Sequence, residues 1–294
     1  MKIQTLLGIF GGAIATFACT FGTGTPTAQT QIDEVGTVVA ATMQALTVAP
    51  SEALSTQPST QTNGTPISFK NVSFVIPDEV ASGASTDTMT SVETNSGAPW
   101  EIAPTHLRFT LTGYQLQDKF HEPRIFVYPA NEYAQANSGA SEQIERLKKA
   151  LAGSPLLLET LPIIPFFNAA PLIAANIKLI TFQNGGGVRE LTQYAQYAAP
   201  INNHELFYQF QGLTSDNKYY VIAILPITSP ILAEDEKPEA SVPTEGIPIP
   251  TDVGPNNAYY ISVTQKLNAS SLDSYTPSLT MLDALIQSIL VTNP

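Results

Sequence analysis

Residues 205–226 read ELFYQFQGLTSDNKYYVIAILP. Two apolar runs rich in aromatic and β-branched residues, Glu205 to Leu213 and Tyr219 to Pro226, flank the turn formers Ser215-Asp216-Asn217-Lys218. That order is the signature of a β-hairpin, and it sets the expectation for the chain around it. Upstream, Asn176 to Phe182 and Val188 to Tyr194 read as two more strands, joined by Asn184-Gly185-Gly186-Gly187, a sequence suited to the positive φ of tight turns. Leu107, Phe109 and Leu111 alternate with Arg108, Thr110 and Thr112, the period-two pattern of a half-buried strand, and Arg124 to Tyr128 (RIFVY) is another, stopped by Pro129. Ile67 to Ile76 reads as one strand ended by Pro77, and Asp78 to Glu101, rich in Ser, Thr and Gly, as a long loop.

Within residues 67–294, helical spacing is read in two places. Ser141 is the expected cap of a helix carrying Ile144, Leu147 and Leu151 and ending at Gly153, and Thr276-Pro277 is expected to open a helix with Leu279, Leu282, Leu285, Ile286 and Ile289 on one face. Tyr259 to Leu267 (YYISVTQKL) reads as strand. The predicted fold is therefore α/β of the α+β kind: a largely antiparallel sheet with helices packed on it.

Two stretches break this regularity. Residues 156–172, LLLETLPIIPFFNAAPL, are apolar but interrupted by Pro162, Pro165 and Pro171, and no helix or central strand accommodates that. The segment is either a buried irregular connection or an exposed apolar lip. If exposed, Ile163, Ile164, Phe166 and Phe167 form a partner-binding surface with nearby sheet tyrosines. Residues 229–257 are acidic and proline-rich, without periodicity or aromatic residues, and read as an insertion in a single domain spanning 67–294.

The amino terminus, MKIQTLLGIFGGAIATFAC, places Lys2 before an apolar stretch from Leu6 to Ala15 and small residues before Cys19, the only cysteine in the chain. It resembles a bacterial lipoprotein signal, with Ala18 and Cys19 matching the cleavage pattern and Thr16 and Phe17 departing from it. The resemblance implies a signal peptide over 1–18, lipid on Cys19 and anchorage to the outer face of the cell membrane. Two other readings stand beside it: an uncleaved anchor over Ile3 to Gly22, and ordinary cleavage after Ala18 that releases a soluble secreted protein. From Thr20 to Pro66 neither Lys nor Arg occurs, while Thr, Ser, Pro, Ala and Gln dominate. Residues 19–66 are thus expected to be a lipid-anchored flexible tether, and Ile32, Val35, Val39, Met43 and Leu46 mark a short amphipathic helix over 31–47 within it.

Composition removes several functions. With 13 Lys and Arg against 25 Asp and Glu, the net charge is −12, and the longest basic run is Lys148-Lys149. Tracking a phosphate backbone needs clustered cations, so no nucleic-acid partner is expected. One cysteine supplies neither a disulfide nor a cysteine-based metal site. Gly185 to Gly187 are not followed by the Lys-Ser or Lys-Thr of a phosphate loop. His121-Glu122 and His204-Glu205 lack the second histidine of a zinc-protease motif, and a histidine site would need His106, His121 and His204 to converge. Glu190 and Glu205 could face a cleft, but Arg189 offers Glu190 an ordinary ion pair. No catalytic residue, metal or cofactor is therefore assigned.

The closing pattern, an alternating strand, a loop and a capped helix ending DALIQSIL, is similar to the end of PsbP-like domains over Tyr259 to Leu290, which implies an α/β/α sandwich. Residues 184–227 also resemble a segment of uncharacterised exported bacterial proteins. The expected function is a lipid-anchored extracytoplasmic domain that binds a protein or envelope component without catalysis. The alternatives are an exported hydrolase with a site assembled from scattered residues, and an accessory factor whose exposed apolar lip engages a membrane complex.

Overall fold

The computed structural model describes residues 63–237, 239–250 and 258–293. The signal stretch, Cys19, most of the tether with its segment 31–47, and residues 251–257 of the insertion lie outside them. The chain divides between Ser59 and Thr60, and all the described residues belong to the second unit, Thr60–Pro294.

The elements, in chain order, are β1 (Gly64–Phe69), β2 (Val72–Pro77), β3 (Gly83–Met89), β4 (His106–Thr112) and β5 (Arg124–Pro129), then α1 (Ala130–Ala136) and α2 (Ser138–Leu151). Next come β6 (Ala170–Pro171), β7 (Ala175–Phe182), β8 (Gly185–Thr192), β9 (Tyr194–Ala195), β10 (Phe207–Thr214) and β11 (Tyr219–Pro226). The chain closes with α3 (Ala258–Ala269), α4 (Leu279–Gln287) and β12 (Leu290–Val291). Seven strands form one antiparallel sheet in the order β3-β4-β5-β11-β10-β8-β7, while β1-β2-β12 form a second and β6-β9 a third. The chain is thus the mixed α/β fold that its sequence predicts.

The β10–β11 hairpin forms as read, from Phe207 opposite Pro226 to Leu213 opposite Tyr220. Its strands sit mid-sheet and are buried on both faces, which is why they read as nearly continuous apolar runs. Val221, Ala223 and Leu225 face one core, where α3, α4 and the β1-β2-β12 sheet pack. Tyr220, Ile222 and Ile224 face another, closed by α1, α2 and the proline-broken segment.

Several boundaries differ from expectation. Ile67 to Ile76 is a hairpin rather than one strand, with Phe69 opposite Val72 across Lys70-Asn71, a turn that no glycine announces. β3 lies inside the expected loop; its sequence, GASTDTM, is an edge strand with little to bury. Gly185 to Gly187 belong to β8 and the turn is Gln183-Asn184; Gly187 is a strand glycine because a Cβ there would come within 2.5 Å of the Phe210 ring. Asn137, not Ser141, caps α2, accepting from the Ala140 N–H at 3.1 Å, and Ser278, not Thr276, caps α4. Residues 259–267 are helix α3, not strand. Val263 and Leu267 are buried four residues apart while Ile261 is 62% exposed, so the apparent alternation from Tyr259 to Val263 does not track burial. The order that suggested a PsbP-like ending is accordingly helix, loop, helix.

The insertion holds no helix or strand among its described residues, yet it is not simply solvated. Leu232, Ala233 and Ile247 are buried, and the Ile247 N–H donates to the Ile231 carbonyl at 2.8 Å.

Candidate functional site

The proline-broken segment decides what the surface can offer. Its sequence allows either a buried irregular connection or an exposed apolar lip, because no ladder can take its backbone. The structure takes the first course over residues 161–164, which cross the second core with Leu161 and Ile164 buried. Side chains supply the missing partners. Gln209 and Gln211 on β10 donate to the Pro162 carbonyl at 3.2 and 2.7 Å, Tyr194 accepts from the Ile164 N–H at 3.0 Å, and Gln143 on α2 accepts from the Ile163 N–H at 2.9 Å. The Tyr220 hydroxyl in turn donates to Gln211. Each buried backbone group named here is thereby satisfied without a strand. Ile163, Phe166 and Phe167 are half-buried and pack on the same core, so most of the expected contact surface closes the interior.

Glu190 belongs to this network. It does not pair with Arg189, because adjacent strand residues point to opposite faces. Its Oε1 accepts from Gln209 at 2.7 Å, while Oε2 is buried without a partner. Burial pushes its pKa up to about 8, which keeps the carboxyl protonated at neutral pH. On the other face, Asp283 of α4 accepts from Tyr208 at 3.0 Å and from Lys178 at 3.0 Å, with the buried Arg189 guanidinium 3.6 Å away. This cluster pins α4 to β7, β8 and β10.

The sheet is asymmetric end to end. At one end tight turns and a single long connection join the strands. At the other, where β5, β7 and β10 begin and β4, β8 and β11 finish, the long irregular segments gather. His121 and His204 meet here around Phe120. The Phe120 N–H donates to the His204 carbonyl at 2.9 Å, and its ring lies edge-on to His121 at 4.8 Å. His121 stacks on Phe167 at 5.1 Å and 10°, and Phe167 meets Tyr194 edge-on at 5.1 Å. Burial, and then the neighbouring His204, lowers the His121 pKa to about 4, so its imidazole is neutral at physiological pH.

Two rings on this end stand clear of the core. Phe120 is 63% exposed and Tyr197 61% exposed, with the Tyr197 hydroxyl donating to Glu236 at 2.8 Å. Glu205 lies between these groups, its Oε2 accepting from Gln193 at 2.8 Å, and burial together with Glu236 raises its pKa. Tyr197 was one of many tyrosines in the sequence; Phe120, in the unpatterned stretch QDKFHEP, carried no signal except its neighbour His121.

The three histidines do not converge. His106 is stacked on Tyr128 at 4.2 Å near the opposite end of the sheet, and its Nδ1 pairs with the Pro104 carbonyl. Among the described residues no three His, Cys, Asp or Glu side chains are grouped to hold a metal ion. Nor does any described histidine hydrogen-bond to a hydroxyl or a carboxylate, the contact from which a nucleophilic triad is built. No described helix is long and apolar enough to cross a membrane. No family model, curated protein or solved structure matches the chain.

Proposed function

We propose that this chain is an exported binding protein, held by lipid on Cys19 and presenting the loop end of its domain to a protein or envelope partner. The observation that carries this reading is the exposure of Phe120 and Tyr197. Phe120 is backed by His121, which packs on Phe167 and Phe207, Tyr197 is held by its hydrogen bond to Glu236, and Glu205 and Glu236 give this end an acidic rim. Phe166 and Phe167 form its inner wall, with Ile163 and Ile164 beneath. The acidic charge argues against nucleic acid and favours a neutral or basic partner. The accessory-factor reading keeps only Leu157, 55% exposed, as an exposed large side chain of its apolar lip, and the hydrolase reading finds no histidine-to-nucleophile contact among the described residues to support it.

The test uses full-length protein in its own envelope. Phe120→Ser combined with Tyr197→Ser should leave folding within about 0.5 kcal/mol, as exposed substitutions do, and should abolish co-retention of the native partner. Cys19→Ala should move the protein from the membrane fraction to the medium or leave it unprocessed. An intact mass showing an unmodified Cys19 on mature protein contradicts the anchor.

A further inference from the structure

The sheet face beneath residues 161–164 buries a carboxyl that no cation meets. The Glu190 side chain is 2% exposed, Oε2 has no partner among the described residues, and Oε1 accepts from the Gln209 amide at 2.7 Å. Gln209 is its direct cross-strand neighbour on β10, and that one amide is fully used. Its nitrogen also donates to the Pro162 carbonyl at 3.2 Å, and its oxygen accepts from the Tyr194 hydroxyl at 3.0 Å. The same hydroxyl accepts from the Ile164 N–H at 3.0 Å. Glu190 thus orients the amide on which residues 162–164 rest.

The titratable groups of this face are Tyr194, Tyr220 on β11, Tyr128 on β5 and Tyr133 on α1, all kept neutral by burial, which raises their pKa values. His121 and His106, at its two ends, are lowered by burial, and residues 161–167 carry no ionisable side chain. Arg146 of α2 is engaged by Glu142 and by the Glu159 and Leu161 carbonyls, while Arg189 and Lys178 turn to Asp283 on the other face. Burial alone therefore holds the Glu190 pKa at about 8. Once ionised, the carboxylate needs water at Oε2, and only one of its walls can give way. β8 and β10 are paired on both sides, whereas residues 162–164 make their polar contacts to the sheet and α2 through the side chains of Gln143, Tyr194, Gln209 and Gln211.

The same segment carries the wall of the loop end. Three residues beyond Ile164, Phe167 stacks on His121 at 5.1 Å and stands edge-on to Tyr194 at 5.1 Å, and His121 backs Phe120. We propose that Glu190 is a proton-dependent latch: protonated, it closes residues 161–164 onto the sheet and keeps Phe167 behind His121. Ionised, it draws water beneath the segment, opens it and loosens that wall, so that the exposed face binds its partner less well. The latch stands on the geometry of the core; its effect on a partner rests on the loop-end reading above.

The experiment follows amide hydrogen exchange in full-length protein from about pH 5 to about pH 9, each rate taken relative to the intrinsic rate of that residue. In the open segment the carboxyl regains its ordinary 4.5, so protection of Ile163 and Ile164 should fall about tenfold per pH unit from about pH 5 and level off above about pH 8. Glu190→Gln, which keeps the neutral shape, should abolish that slope. Carbon-13 titration of the Glu190 carboxyl in the native chain should show a midpoint near 8, whether or not the variant folds. Protection equal to that of Val221 in β11, a slope that survives Glu190→Gln, or a carboxyl midpoint near 4.5 each overturns the latch. For the surface, a photoreactive residue at Phe120 should give less partner product at about pH 8 than at about pH 6, and equal amounts in Glu190→Gln. A product that does not change with pH overturns the regulation. No product at any pH overturns the loop-end reading, and exchange alone then decides the latch.

Discussion

The two faces of the seven-stranded sheet are closed by different means. One is covered by α3, α4 and a small sheet, all of which satisfy most of their own backbone hydrogen bonds, so the sheet beneath them is largely apolar, with one charged cluster at Asp283. The other is covered partly by α1 and α2 and partly by residues 155–169, which have no ladder of their own. There β10 alternates Phe207, Gln209, Gln211 and Leu213 toward the cover, and the two glutamines serve the backbone that crosses them. The difference teaches that an irregular apolar segment can be core, provided the surface beneath it supplies amides. It also moves the candidate contact surface from that segment to the loop end, where Phe120 and Tyr197 are exposed.

The largest expected effect falls on the regular face. Asp283→Asn keeps the shape but removes the charge that faces Arg189, leaving a buried guanidinium uncompensated, and chemical denaturation should show a loss of about 3–5 kcal/mol. A loss below about 1 kcal/mol would mean the cluster does not pin α4. On the irregular face, Gln211→Leu strands the Tyr220 hydroxyl and removes the shorter of the two donors to Pro162, for an expected loss of about 1–3 kcal/mol. Faster amide exchange at Ile163 and Ile164 should accompany it. An unchanged exchange rate would show that the segment is held by apolar packing alone.

Titration sharpens the same contrast. The folded-state pKa of Glu190, about 8, lies above its ordinary 4.5, so its contribution is fully present below pH 4.5 and is lost as pH rises toward 8, at about 1.4 kcal/mol per unit. Glu190→Gln should flatten that slope. His121 acts in the opposite sense: its folded value of about 4 lies below 6.5, so stability is lost as pH falls from 6.5 toward 4. His121→Phe should remove that acid-side slope in a series of thermal melts. If both variants keep the wild-type pH profile, neither group is as buried as described.

Some of this was legible in the sequence and some was not, for physical reasons. The β10–β11 hairpin was readable because its turn residues and apolar runs agree with burial on both faces. Helix α3 was not, since Tyr259, Ile261 and Val263 mimic alternation over a few residues and only Leu267, four beyond Val263, carries the helical period. The glycines of β8 signal a turn by type, yet Gly187 is required by the Phe210 ring and Gly185 by the Phe182 ring and the Leu213 carbonyl, contacts with neighbouring strands that the local pattern does not show. Among the candidate site residues, Phe166 and Phe167 drew notice as apolar. Phe120 did not, because exposure is a property of the fold and not of the residue.

The most direct measurement of the central claim is site-specific photo-crosslinking of the full-length protein in intact cells. A photoreactive residue is placed at Phe120, and separately at Leu151, which is also exposed but lies near the opposite end of the sheet. A loop-end contact surface predicts a discrete crosslinked product from position 120 that Tyr197→Ser suppresses, and none from position 151. Equal products from both positions, or none from position 120, would contradict it.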